Sequence, residues 1–185
     1  MLKAGLIALA LLALSSEARA ATPQSNGCLF AFTGQPGMPS FETYPAAELS
    51  GTVKPPRIAS KDARLFRTQI IGGASAGANF GGHYTIVGWG CGSSCVQWAL
   101  VDRLTGSVLF DRRFSVVSTV HVKGIAPEWK AQSNFNALRF KPGSNLLVIQ
   151  GAPNEDERRD GLTFLDWTGR AFRLVAFVPA ADLCS

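Results

Sequence analysis

Two groups of residues in this 185-residue chain have types and spacings that could do chemistry. The first is His83, which follows Gly81-Gly82 and opens an apolar stretch. A histidine at a strand entrance beside glycines could act as a general base or as a ligand near neutral pH. Catalysis would require a nucleophile partner, and Ser93 and Ser94 lie at the other end of the same strand. The plainer role is a histidine that holds its loop by hydrogen bonds to backbone.

The second group is Cys91-Gly92-Ser93-Ser94-Cys95. Redox pairs are spaced C-x-x-C at the start of a helix, one residue closer than here. A tetrahedral zinc site needs four nearby ligands. The only histidines, His83 and His121, are in separate segments. In an extended chain the two cysteine Cα atoms would be roughly 13 Å apart. Across a three-residue Gly-Ser-Ser turn they would face each other at roughly 4.5–5.5 Å between Cβ atoms. A structural disulfide at a hairpin tip is therefore expected, and it leaves Cys28 to pair with Cys184. That second bridge would close most of the chain and stabilise it by roughly 4–5 kcal/mol.

Other motifs carry less. Gly73-Ala74-Ser75-Ala76-Gly77 matches G-x-S-x-G, but that motif has meaning at a strand-to-helix turn and here a helix precedes it. There is no phosphate-binding G-x-x-x-x-G-K-[ST] loop, no dinucleotide-type G-x-G-x-x-G after a strand, and no H-E-x-x-H. Asp102, Asp111 and Asp166 read as turn residues. Trp89 and Trp98 could offer a stacking surface for sugar or peptide, or pack into a core. No cofactor or metal is expected, and no nucleic-acid motif is present.

These residues need a frame. Met1-Leu2-Lys3, an apolar run over Ala4–Leu14 and Ala18-Arg19-Ala20 fit a secretory signal peptide at residues 1–20. The run is too short to span a bilayer, which takes roughly 20 apolar residues, and no stable membrane span is expected. Without Lys3, Arg19 and Glu17 the chain keeps 16 basic and 12 acidic residues. That surplus is modest and scattered. Residues 21–57 read as an irregular, proline-rich arm with a short strand at Cys28–Phe32. Residues 58–185 read as a single β domain with one N-terminal helix, Ser60–Ile71. Ser60 caps that helix and Gly72-Gly73 end it; Ala63, Phe66 and Ile70 share a face, away from Lys61, Arg64 and Arg67.

From His83 onwards the pattern becomes strands. With Cys91 opposite Cys95, Trp89 faces Gln97, Val87 faces Ala99, Ile86 faces Leu100, and Trp98 lies over Gly88. Turns at 102–106, 141–145 and 166–169 separate further strands, and Val116–Val122 adds another. The fold class is mainly β with one helix. We expect an antiparallel meander of hairpins forming a curved sheet, sandwich-like or a partly closed, propeller-like barrel. The strands are too few for a propeller of four four-stranded blades.

The stretch from Ala63 to Val108 resembles a family of small exported proteins from Proteobacteria. The resemblance rests on Phe66-Arg67, Asn79-Phe80-Gly81-Gly82-His83-Tyr84, Trp89-Gly90-Cys91-Gly92-Ser93-Ser94-Cys95, and Val101-Asp102 with Thr105-Gly106. Leu138-Arg139-Phe140-Lys141-Pro142 and Asp166-Trp167-Thr168-Gly169-Arg170 are also similar. It implies a Gram-negative envelope location, periplasmic or secreted, and brings no active site with it.

The expected function is a non-enzymatic binding or interaction module. Its partner would be an envelope protein, a glycan or a small ligand, and its surface would include Asn79, His83, Tyr84, Trp89 and Trp98. The alternatives are a small hydrolase or transferase using His83, and a thiol-disulfide protein using Cys91 and Cys95.

Overall fold

The computed structural model describes residues 37–120, 122 and 137–183. The leader at 1–20, the strand at Cys28–Phe32, the Cys28–Cys184 bridge and His121 lie outside the described residues.

The frame is an open, eight-stranded antiparallel sheet. Its strands are β1 (Tyr84–Gly92), β2 (Cys95–Asp102), β3 (Val108–Leu109), β4 (Val116–Ser118), β5 (Leu138–Arg139), β6 (Leu146–Pro153), β7 (Gly161–Trp167) and β8 (Phe172–Pro179). The order is β1-β2-β4-β6-β7-β8, with β3 on β2 and β5 on β6. The sheet curves without closing into a barrel.

Within the first hairpin the register is as expected, with Ile86↔Leu100, Val87↔Ala99, Gly88↔Trp98 and Trp89↔Gln97. Period-two alternation on two adjoining strands fixes this, because a one-residue slip would turn every side chain to the wrong face. At the tip the register shifts, and Gly92, not Cys91, stands opposite Cys95. The turn is therefore Ser93-Ser94, with Ser94 at φ 54°, and Cys91 is the extra residue of a bulge. A bulge re-aims the side chain it carries, and here the bridge to Cys95 still forms, at a Cα–Cα distance of 5.2 Å.

Both faces of the sheet are covered. The curve encloses an inner core that includes Ile86, Trp98, Leu100, Val117, Leu147, Ile149, Leu165 and Phe172. Behind β1 and β2, Val87, Trp89, Ala99 and Val101 pack under the helical segment through Ala63 and Ile70. Behind β6 and β7, Leu146, Val148, Leu162 and Phe164 pack under Phe41 and Leu183. This fits the four successive apolar residues Leu146–Ile149 at the start of β6, every residue of which is buried, Gln150 included.

The helix differs from expectation at its end. Ser60 does cap it, its Oγ accepting from the Ala63 N–H at 3.0 Å. The segment breaks at Phe66 into α1 (Lys61–Leu65) and α2 (Arg67–Ala74), and α2 runs through Gly72-Gly73. Gly73 is needed for packing: a Cβ there would sit 2.3 Å from Val87 Cγ1, so only glycine lets α2 approach β1 this closely. The described β4 is also shorter than Val116–Val122. Its pairing with β6 ends at Ser118↔Ala152.

Candidate functional site

The segment Asn79–Tyr84 is first a device for starting β1. The Asn79 carboxamide imitates a strand: its Nδ2 donates to the Ile86 carbonyl at 3.0 Å and its Oδ1 accepts from the Ile86 N–H at 2.7 Å. Phe80 is fully buried. Its N–H donates to the Tyr84 carbonyl, and the Tyr84 N–H donates back to the Phe80 carbonyl. The turn between them is wedged against two other segments. Gly81 and Gly82 donate their N–H groups to the Ser144 and Pro142 carbonyls. Gly82 has φ +83°, and a Cβ on it would lie 2.1 Å from the Ala47 carbonyl oxygen. No other residue type fits there.

This turn fixes His83. Its ring lies 4.0 Å from the Tyr84 ring between centroids. Its Nε2 is 3.6 Å from Asp102 Oδ1, with 11% and 20% of the two side chains exposed. Its Nδ1 is buried without a hydrogen-bond partner. Asp102 also accepts the N–H groups of Leu104 at 2.8 Å and Thr105 at 3.1 Å. Burial pushes the Asp102 carboxyl up, but the Thr105 and Leu104 hydrogen bonds and the neighbouring His83 outweigh it and hold the group below its ordinary range.

Next to this pair opens a cleft of about 330 Å³. Tyr84, Leu100, Asp102 and Ser107 line one side, and Trp167 and Arg170 the other. The Tyr84 and Trp167 rings meet edge to face at 5.4 Å. Trp167 leans on Phe172 at 4.8 Å, which anchors the floor to the inner core. The Ser107 oxygen accepts from Arg57 Nη2 at 2.7 Å and from Thr105 Oγ1 at 3.0 Å.

The arrangement can hold a ligand with an apolar face and a polar rim. No hydroxyl or thiol is hydrogen-bonded to His83 among the described residues. Ser93 and Ser94 lie past the other end of β1, about 30 Å away at strand rise. Ser107 is held by two donors, neither of which is a base that could take its proton. Ser75 of the G-x-S-x-G match caps α2, its Oγ donating to the Gly72 carbonyl at 2.6 Å, and no strand-to-helix elbow exists there. No group of three His, Cys, Asp or Glu side chains capable of holding a metal occurs among the described residues.

Of the five residues expected to form a binding surface, His83 and Tyr84 come together near the cleft. Asn79 is committed to Ile86. Trp89 and Trp98 point to opposite faces of the hairpin, so they make no shared platform. Trp89 is buried against Phe66 at 4.9 Å. Trp98 is fully enclosed, and its Nε1–H donates to the Phe114 carbonyl at 2.7 Å.

Trp167, Arg170, Asp102 and Ser107 were not expected at a site. One signal did exist for Asp102: extending the Ile86↔Leu100 register by two places sets Tyr84 opposite Asp102, which is the pair observed. Compared with known protein families, with curated proteins and with solved structures, the chain matches none.

Proposed function

We propose that this chain is an exported, non-enzymatic binding module of the Gram-negative envelope, and that its recognition site is the cleft between Tyr84 and Trp167. The observation that carries this reading is the composition of the cleft. Two aromatic rings provide an apolar floor, and Asp102, Ser107 and Arg170 provide acceptors and donors around it. That combination suits a small amphipathic ligand whose ring stacks while its hydroxyls meet the rim, and a glycan is the first candidate. The leader-like residues 1–20 and the bridged cysteines favour export into an oxidising compartment. No helix among the described residues is long and apolar enough to cross a membrane.

An enzymatic role for His83 is the weaker reading, because among the described residues no hydroxyl or thiol is hydrogen-bonded to His83 as a nucleophile whose proton it could take. The test is a titration of the purified protein with neutral, amino and acidic oligosaccharides, followed by tryptophan fluorescence. Binding should be seen in at least one class and should weaken roughly tenfold or more in Asp102→Asn or Arg170→Ala, the loss of one charge-assisted hydrogen bond. No response to any class at millimolar concentration, or binding that survives both substitutions, would remove the cleft from consideration.

A further inference from the structure

β8 ends the described sheet, and no other described strand pairs with its outer edge. Its Leu174 and Phe177 are 54% and 37% exposed, although they stand beside buried Leu165 and Thr163 on β7. Arg173 is the only charged residue in the strand, and Asp166 neutralises it at 2.8 Å. A long apolar edge of this kind is one that folded proteins cover.

Two ends of the described chain reach the core cluster behind β6 and β7 that β8 also borders. Met38 and Leu183 both pack in the cluster that holds Val175, Ala176 and Val178 of β8. Leu183 precedes Cys184, and Met38 follows Cys28 by ten residues. Ten residues reach at most about 33–36 Å, further than the roughly 26 Å that eight strand residues span. Cys91 and Cys95 are joined to each other, so Cys28 and Cys184 have only one another within the chain. The residues after Cys28 are Leu29-Phe30-Ala31-Phe32, an uncharged apolar run of high strand propensity.

We propose that Cys28–Phe32 docks on the outer edge of β8 as an antiparallel ninth strand, fastened by a Cys28–Cys184 disulfide, and covers Leu174 and Phe177. The occupant of the edge is thus this chain's own N-terminal segment, and not a second copy.

Hydrogen exchange and non-reducing peptide mapping on the full chain test this. In the wild-type protein the β8 amides should be protected, and one linked peptide should join Cys28 to Cys184 of the same chain. Phe30→Asp should speed exchange in β8 on the order of tenfold or more while leaving β1 and β2 unchanged. Ala31→Pro, which removes a strand donor without adding charge, should do the same. The proposal fails if wild-type β8 exchanges like open chain, if both variants leave β8 protection intact, or if Cys28 links to a second molecule. Should both variants unfold the domain, wild-type protection together with the peptide map decides the matter alone.

Discussion

The two ends of the β1–β2 hairpin are fastened in different ways. At the tip a covalent bridge joins Cys91 to Cys95, and Gly90 through Ser94 are all exposed. At the base nothing is covalent. Asn79 is threaded onto Ile86, Gly82 is wedged against Ala47, and His83 lies against Tyr84 and Asp102. The base is buried and reaches Ala47, Pro142, Ser144 and Trp167. The exposed tip reaches beyond the hairpin only to β4 and Thr119 among the described residues, through Cys95↔Ser118 and the Thr119 N–H donated to the Ser94 carbonyl at 2.7 Å. A conspicuous cysteine pair therefore marks the less consequential end, and the glycine-histidine turn marks the end that organises the molecule and its cleft.

The contrast can be broken by substitution. Gly82→Ala should be the most damaging change, because it combines a left-handed backbone with a 2.1 Å approach to the Ala47 oxygen. We expect a loss of at least about 4 kcal/mol, read as a fall in the urea midpoint. Asn79→Ala should come next, since it strands both backbone groups of buried Ile86, at a cost of about 3 kcal/mol by the same measurement. Replacing both Cys91 and Cys95 with Ser should cost about 2 kcal/mol or less, because the loop they close is short. A tip variant that destabilises more than the Asn79 variant would invert the comparison.

The smallest effect concerns pH. The Asp102 carboxyl is held below its ordinary value in the folded chain. Its contribution is therefore complete above the unfolded-state pKa of about 3.9 and is lost as pH falls through the lower folded value. Urea midpoints of wild type and Asp102→Asn should differ near neutrality and converge at the acid end. A constant gap across that range would mean that Asp102 does not titrate as its surroundings dictate.

How much could be read beforehand followed the range of the forces involved. The hairpin register was legible because alternation and a Gly-Ser turn act over a few residues. The Cys91–Cys95 bridge was legible for the same reason, although the bulge that puts Gly92 opposite Cys95 was not. The end of α2 was misread because Gly73 answers to Val87, fourteen positions away. Trp89 and Trp98 offered a surface in the sequence and are core in the fold, since both faces of the hairpin are covered. The cleft was hidden because Tyr84 and Trp167 meet only when the sheet curves, and no local pattern encodes that curvature.

The join between the two halves of the sheet has a consequence for how the molecule comes apart. Among the described residues β4 connects to β6 through two register pairs, Val117↔Pro153 and Ser118↔Ala152, with the Asn154 N–H donated to the Val116 carbonyl beside them, whereas β6, β7 and β8 are zipped along most of their lengths. Partial opening should therefore run along this seam, with β1–β2 and β6–β8 leaving as separate cooperative units. The aromatic cleft straddles both units, so a bound ligand would act as a clasp that makes them open as one.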